Sequence, residues 1–172
     1  MRSGRIQVIP DDGEASLGST RFRHVLGHFC TGVTVVTSLH DDRPIGFTLQ
    51  SFTSVSLAPP LIAICPAKSS SSWPYMKASG AFCVNILRDQ QEAVSRTFST
   101  KGGKRFENIG WQHAPGTGSP LLDDALAWVD CRIQAEHDAG DHVIAVGLVV
   151  GLGAIPQGRP LLYYRGSYVR FA

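Results

Sequence analysis

The sequence has no long apolar run. Its uninterrupted apolar stretches are all well short of 18 residues, the length that a membrane-spanning helix needs, and no apolar signal-peptide core stands near the N-terminus. Neither a membrane span nor secretion is supported. We therefore expect a cytoplasmic protein without membrane partners.

Runs of like charge are also missing. The net charge of +2 comes from scattered lysines and arginines, with no block of five or six charges of one sign. Only 17% of the residues are charged and 43% are hydrophobic, as in a globular protein that covers part of its surface in an oligomer. The composition gives no reason to expect a nucleic-acid partner.

Three kinds of site motif are absent. Cys30, Cys65, Cys83 and Cys131 are far apart and show no CxxC spacing, which favours buried, reduced thiols over a disulfide framework. His24 and His28 have the i, i+4 spacing of metal ligands but no third ligand near them, so we expect no metal site. The glycines of GLVVGLG lack the GxGxxG spacing of a Rossmann dinucleotide site, and no Ser-His-Asp or Cys-His set is evident.

The periodicity predicts one mainly β domain. Residues 1–18 are polar and aperiodic, so we expect a flexible leader followed by a domain over 19–172. Short β-branched segments such as VTVVT, LIAIC and FCVNIL, separated by turn residues and without a βαβ rhythm, indicate an antiparallel barrel. Three short helices are predicted: one over residues 22–29 ending at Gly32, one over 73–79 closed by Gly80, and one capped by Asp89.

A serine-rich segment after the LIAIC strand is the clearest candidate for ligand binding. Lys68 and the serines 69 to 72 precede Trp73-Pro74, which is typical of the first turn of a helix. Hydroxyls, free backbone N–H groups and a lysine near a helix N-terminus attract phosphate. On the residues alone, a solvated loop with a serine cap is the commoner interpretation of such a cluster.

Six segments, in order along residues 21–170, carry a resemblance that decides between these interpretations: FRHVLGHFCTGVTVVT, GFTLQSFTSVSLAPPLIAICPAKSSSSW, GAFCVNIL, KRF, AGDHVIAVGLVV and PLLYYRGSY. Together they resemble the flavin-reductase-like family of NAD(P)H:flavin oxidoreductases, and especially the reductase partners of hydroxylases that act on steroid-derived phenols. The resemblance implies an FMN-binding split β-barrel of Greek-key type with a few short helices. It also implies a homodimer with the flavin near the subunit interface.

The resemblance also implies which residues hold the flavin. The turn after GF, where Leu49 and Gln50 replace the family's commoner Ala-Asn, is expected to line the isoalloxazine edge. Because the Gln50 amide sits on a longer arm, the preference between FMN and FAD stays open. The residues assigned to the ring are Thr48, Gln50, Ser51, Phe52, Thr53 and Ser54; those assigned to the flavin phosphate are Lys68, Ser69, Ser70 and Ser72.

Further residues are assigned to closing the site and to the nicotinamide. In the family, His142 of GDH lies on the nicotinamide side and is the one catalytic candidate, although a lone histidine at a strand start is commonly structural. Arg105 and Phe106 are assigned to closing the flavin site, with a solvated loop and one anchoring aromatic as the alternative. Tyr163, Arg165 and Tyr168 are assigned to closing the site of His142, Arg165 by pairing with phosphate, and core aromatics are the alternative for the two tyrosines.

The function implied is transfer of hydride from NADH, in preference to NADPH, to FMN or FAD. The reduced flavin would then leave for a separate oxygenase that hydroxylates an aromatic or phenolic substrate. Two alternatives use the same barrel: a flavin-binding storage or sensor module without turnover, and an oxidase that acts directly on a small substrate. Intact GDH and YRGSY elements argue against the first, and the lack of a recognisable arginine cluster for a substrate phosphate argues against the second.

Overall fold

The structure is a computed structural model that describes residues 18–102 and 104–170. Apart from Gly18, the leader predicted over residues 1–18 lies outside the described residues. Within the described part of the chain, no helix is both long enough and apolar enough to cross a membrane.

The fold is mainly β, with antiparallel strand pairing and three short helices among the described residues. This confirms the predicted fold class. The helices are α1 (Ser19–Leu26), α2 (Trp73–Ser79) and α3 (Glu92–Ser99). The strands are β1 (Thr31–Gly32), β2 (Thr34–His40), β3 (Arg43–Leu49), β4 (Thr53–Leu57), β5 (Pro60–Ile64), β6 (Ala81–Ile86), β7 (Trp111–His113), β8 (Pro120–Leu122), β9 (Ala127–Ala139), β10 (His142–Ala154), β11 (Leu162–Tyr164) and β12 (Ser167–Val169).

One seven-stranded sheet forms the body of the domain, in the order β3-β2-β6-β9-β10-β5-β4. Three of its strand pairs, β2–β3, β4–β5 and β9–β10, are hairpins between strands that are neighbours in sequence. Strand β6 pairs with β2 and with β9, so it joins the first of these hairpins to the third. A three-stranded sheet, β1-β11-β12, and the β7-β8 pair complete the structure. The seven-stranded and the three-stranded sheet come together near the polar turn that follows β3.

Turn chemistry sets two of the hairpins. Asp41 and Asp42 join β2 to β3 with φ values of 48° and 59°, the left-handed conformation that two-residue hairpin turns require and that Asp tolerates. This confirms the predicted turn. The predicted turn over residues 137–141 is tighter in the structure, because β9 continues to Ala139 and only Gly140 and Asp141 remain outside the strands.

Two groups of buried side chains form the core. The first fills the space between the seven-stranded sheet and α2, and includes Trp73, Met76 and Phe82. The second lies between α3 and the three-stranded sheet, and includes Phe98 and Leu161. One of two predicted helix ends is confirmed: Gly80, at φ 71°, ends α2 as predicted, whereas α1 ends at Leu26 and not at Gly32, which belongs to β1.

The cysteines and the third helix correct two further predictions. All four thiols are free, but only Cys83 and Cys131 are buried, and Cys30 is exposed. Burial raises the pKa of the Cys131 thiol to about 12, so this thiol stays protonated and unreactive. Residue Gln91, not Asp89, stands at the N-cap of α3, because the Asp89 N–H instead donates to the Arg159 carbonyl across the chain.

The central β9–β10 pair gives a test of packing. Gly147 lies at a register shift in β10, where an added methyl group would be 2.7 Å from Phe82 Cζ and 3.1 Å from Cys131 Cβ. We expect Gly147→Ala to lower the free energy of unfolding by about 2 kcal/mol, since an overpacked core must shift its side chains. Urea denaturation followed by circular dichroism measures this change.

The matched control is Gly151→Ala in the same strand. There the nearest atom to an added methyl group is Trp128 Cζ3 at 3.4 Å, an ordinary contact. We expect a change within about 0.5 kcal/mol. Equal losses in the two variants would contradict the packing explanation, because strand propensity alone would then account for both.

Candidate functional site

A cavity of about 890 Å³ opens where the two larger sheets meet. Its wall comes from the end of β3, the serine-rich loop after β5, the segment after α3, the first residue of β10, and strands β11 and β12. The lining residues are Phe47, Thr48, Leu49, Gln50, Ser51, Cys65, Pro66, Ala67, Ser69, Ser70, Ser71, Ser99, Lys101, Gly102, Arg105, His142, Tyr163 and Tyr168. We call it the first cavity.

Side-chain hydrogen bonds hold the polar turn after β3 in place. The Thr48 hydroxyl donates to the Ser95 carbonyl in α3 at 2.6 Å, and the Ser51 hydroxyl accepts from the Cys65 N–H at 3.0 Å. Thr31 Oγ1 donates to Gln50 Oε1 at 3.2 Å, while the Gln50 amide nitrogen has no partner among the described residues. The turn therefore offers its backbone and one free amide donor to a ligand in the first cavity.

The serine-rich loop divides its hydroxyls between structure and cavity. Ser70 Oγ accepts from the N–H groups of Ser72 and Trp73, each at 3.3 Å, so this hydroxyl shapes the start of α2. Within the described part of the chain, the hydroxyls of Ser69 and Ser71 form no hydrogen bond. These two hydroxyls are available to an anion. Lys68 points elsewhere, because its ammonium group pairs with the carboxylate of Asp138.

Glu136 of strand β9 holds α2, the helix that directly follows this loop. Its carboxylate accepts from Lys77 Nζ at 2.8 Å and from Trp73 Nε1 at 2.9 Å, both on α2. The hydrogen bonds from Lys77 and then Trp73 lower the pKa of Glu136, so the carboxylate stays charged at neutral pH. The loop is thus attached to the central sheet as well as to β3.

Arg105 closes one end of the first cavity. Its Nη1 donates to the Gly46 carbonyl at 2.5 Å and to Ser72 Oγ at 3.1 Å, and its Nε and Nη2 donate to the Thr100 carbonyl at 3.1 and 2.8 Å. One guanidinium therefore joins β3, the serine-rich loop and the end of α3. A planar five-donor group suits such bracing, which a lysine could not reproduce.

A histidine and two tyrosines also line the first cavity. His142 Nδ1 donates to Asp141 Oδ1 at 2.7 Å, an arrangement that leaves Nε2 available for a ligand. This hydrogen bond lowers the pKa of Asp141. The Tyr168 hydroxyl lies 2.8 Å from Ser95 Oγ, and the Tyr163 and Tyr168 rings meet edge to face at 5.1 Å.

A second cavity of about 600 Å³ adjoins the first. Ser71, Gly102 and Arg105 line both, so they form the boundary between the two. Beyond this boundary the second cavity is lined by Pro44, Ile45, Gly46, Ser72, Lys104, Phe106, Glu107 and Trp111.

The structure brings together more than half of the residues that the sequence singled out. Nine of them line the first cavity: Thr48, Gln50, Ser51, Ser69, Ser70, Arg105, His142, Tyr163 and Tyr168. Ser72 and Phe106 line only the second cavity. The remaining five, Phe52, Thr53, Ser54, Lys68 and Arg165, line neither of these two cavities.

These five have other positions in the fold. Phe52 packs against the first core group, and Thr53 and Ser54 continue into β4. Arg165 stands in the turn between β11 and β12 with φ at 49°, where its backbone N–H donates to the Gly27 carbonyl. Strand pairing of β4 with β5 draws the turn away from the cavity after Ser51, which the amino-acid pattern did not show.

Sequence reasoning missed half of the lining of the first cavity. Ser71 belongs to the recognised serine run, and Lys101 and Gly102 come shortly before the KRF segment, so a segment-level assignment would have included them. Ser99 is the last residue of α3, and only the position of that helix brings it to the cavity. The other missed residues are Phe47, Leu49, Cys65, Pro66 and Ala67.

The residues of the first cavity fit a flavin. The volume lies within the range of cofactor pockets, and apolar side chains with a polar backbone turn suit a flat ring that has donors and acceptors on one edge. The free hydroxyls of Ser69 and Ser71, with Lys101 nearby, suit the phosphate at the other end of the molecule. No group of three or more possible metal ligands occurs in the described ranges.

Comparison with known proteins agrees with this chemistry. The HsaB reductase subunit of a flavin-dependent monooxygenase from Mycobacterium tuberculosis is 47% identical over 156 residues, covering 90% of this chain and 83% of its own length. The crystal structure of nitrilotriacetate monooxygenase component B from Mycobacterium thermoresistibile is 47% identical, with a TM-score of 0.84 over 87% of this chain and 84% of that chain.

A third relative has been solved with ligands. The NADH:FAD oxidoreductase SgcE6 of Streptomyces globisporus C-1027, in complex with NAD and FAD fragments, is 37% identical with a TM-score of 0.84, covering 89% of this chain and 92% of that chain. The similarity to solved flavin reductases confirms the split-barrel fold. The model of the flavin-reductase-like domain family matches residues 26–172. The chain therefore belongs to the flavin-reductase-like family.

Proposed function

We propose that this protein is the NADH-dependent flavin reductase component of a two-component monooxygenase. It oxidises NADH, reduces a flavin and passes the reduced flavin to a separate oxygenase. The observation that carries the proposal is that one cavity is lined by two different sets of groups. The first set is the free serine hydroxyls with Lys101, and the second is His142 with Tyr163 and Tyr168. A cavity with both sets suits two ligands, a flavin and a dihydronicotinamide.

The protein's part in this reaction is to place two ligands. A bound flavin supplies the hydride-accepting chemistry, whereas the chain supplies position and electrostatics. The turn held by Thr48 and Ser51 presents its backbone to the ring edge, and Ser69 and Ser71 hold the phosphate. Correct mutual placement of two reactants lowers a barrier by several kcal/mol through proximity alone.

His142 orients the dinucleotide. Its Nδ1–H is held by Asp141, so Nε2 is the ring nitrogen that is left for a ligand, and in the neutral imidazole this nitrogen is an acceptor. An acceptor in this position suits the carboxamide N–H₂ of a nicotinamide. The similarity to an NADH:FAD oxidoreductase and to an NADH-dependent FMN reductase supports NADH over NADPH, and FMN or FAD as the flavin. The resemblance of the six sequence segments to reductase partners of hydroxylases that act on steroid-derived phenols supports an aromatic or phenolic substrate for the oxygenase.

The protein is a homodimer. Helix α1 is amphipathic but buries none of its residues, and the apolar residues of its segment, Phe22, Val25, Leu26 and Phe29, are 54%, 51%, 55% and 77% exposed. An amphipathic helix normally covers its apolar face. The helix is attached to the β11–β12 turn through Gly27, close to strands that line the first cavity. A second copy on this face would lie next to the flavin site.

Turnover tests the proposed function. We expect the purified protein to oxidise NADH, followed at 340 nm, at a rate that depends on added FMN or FAD, with NADPH a poorer donor. Tight flavin binding without NADH oxidation would instead indicate a storage or sensor module. Oxidation of NADH at an equal rate without any flavin, in a protein that carries none after gel filtration, would contradict a flavin reductase.

His142→Ala tests the nicotinamide assignment. We expect the apparent KM for NADH to rise about tenfold, as for the loss of one hydrogen bond in a site, while the KM for flavin changes less. Steady-state kinetics with either ligand varied separate the two effects. His137→Ala is the matched control, because His137 is an exposed histidine of β9 that does not line the cavity. A larger rise in the flavin KM than in the NADH KM would remove His142 from the nicotinamide side.

The α1 face tests the dimer. We expect the wild type to sediment as a dimer and Phe22→Ser/Phe29→Ser to dissociate at micromolar concentration, because each serine removes an aromatic ring from the contact. Analytical ultracentrifugation measures this. His24→Ser, an exposed change on the polar side of the same helix, should leave the dimer intact. A wild-type monomer, or a dimer unaffected by the double substitution, would contradict the proposed interface.

A further inference from the structure

The second cavity has no role in the reaction described so far. It is nearly two-thirds the size of the first, at about 600 against 890 Å³, and the two share Ser71, Gly102 and Arg105 as a common boundary. Given the proposed function, we propose that the second cavity binds the adenylate half of FAD. The protein would then be selective for FAD over FMN.

The boundary places a phosphate between the two cavities. Ser69 and Ser70 line the first cavity and Ser72 lines the second, while Ser71 lines both with a hydroxyl that has no partner in the described part of the chain. A flavin phosphate held by this loop therefore lies at the boundary. FMN ends at that phosphate, whereas FAD continues with a second phosphate and an adenosine, which need space on the other side.

The charges on both sides of the boundary suit a pyrophosphate. Lys101 lines the first cavity, Lys104 lines the second, and Arg105 stands between them. Glu107 also lines the second cavity, but its carboxylate is paired with the Lys104 ammonium group. Arg105 is braced by Gly46, Ser72 and Thr100, so its positive charge is held in place before a ligand arrives.

An aromatic wall suits the adenine. Phe106 and Trp111 line the second cavity, and their ring centroids are 6.3 Å apart in an edge-to-face arrangement. Phe106 packs in turn against the buried Phe98 at 4.9 Å, so the wall is rigid. A purine stacks favourably on a fixed aromatic ring, whose position is already set by core packing.

NADH also carries an adenylate, but the positions of the other residues favour FAD. His142, Tyr163 and Tyr168, the candidates for the nicotinamide end, line the first cavity and not the second. The serine loop, which would hold the flavin phosphate, is the part of the wall that continues into the second cavity. The flavin, and not the nicotinamide, is therefore the ligand whose tail reaches the boundary.

Equilibrium binding tests this inference without relying on turnover. Isothermal titration calorimetry of the full chain would give Kd values for FAD and FMN, with and without millimolar AMP as a competitor. We expect FAD to bind more tightly than FMN, and AMP to weaken FAD binding only. Trp111→Leu should weaken FAD about tenfold, the effect of losing one base–aromatic stack, and leave the Kd of FMN within about twofold.

Lys104→Gln is the second variant, since this exposed side chain can be changed without disturbing the core, and a loss of about threefold for FAD alone is expected. Gln112→Ala, on the same strand as Trp111 but outside the cavity, is the control and should change neither Kd. Equal Kd values for FAD and FMN in the wild type, or equal losses for both flavins in the variants, would overturn the inference while leaving flavin reduction intact.

A separate titration of NAD⁺ into the FMN-loaded protein distinguishes the two adenylates. If Trp111→Leu weakens NAD⁺ binding and leaves FAD unchanged, the second cavity serves the nicotinamide dinucleotide and the inference is wrong. A wild-type chain that binds neither flavin would overturn both this inference and the proposed function.

Discussion

The antiparallel pairing of β9 with β10 is the interaction on which the rest of the structure depends. These two 13-residue strands lie at the centre of the seven-stranded sheet, so each has a further strand on its outer side. The turn between them is followed by His142, which is the first residue of β10 and lines the first cavity. From β9, Glu136 holds α2 through Trp73 and Lys77, and α2 follows the serine-rich loop. One strand pair thus positions both His142 and the serine-rich loop.

Arg105 has the corresponding role at the edge of the site. It comes from a loop with little regular structure, yet its four hydrogen bonds reach a strand, the serine-rich loop and the end of a helix. The same contacts that brace the loop place a fixed positive charge between two cavities. A residue that looks like one of several basic residues in KGGKRF therefore has a structural and an electrostatic role together.

Much of the fold could be predicted from the sequence because its signals are local. Asp41-Asp42 in a hairpin turn and Gly80 at the end of α2 follow from backbone chemistry within a few residues, and both are confirmed. The end of α1 was predicted at Gly32 but lies at Leu26, and the N-cap of α3 was predicted at Asp89 but is Gln91. Long-range contacts decide both positions. The Gly27 carbonyl accepts from Arg165, and the Asp89 N–H donates to Arg159, partners about 138 and 70 residues away that no local pattern indicates.

The sequence by itself determined the family, the mainly antiparallel β fold and the segments that carry the site, since motif order and strand periodicity are properties of the chain alone. Only the tertiary structure decided which side chains within those segments line the first cavity. Pairing of β4 with β5 removes Thr53 and Ser54 from the cavity, and the ion pair with Asp138 turns Lys68 away. The second cavity is likewise a feature that only the tertiary structure decided. It exists because Arg105, Ser72 and Gly46, distant in sequence, are joined by hydrogen bonds whose geometry depends on the packed fold.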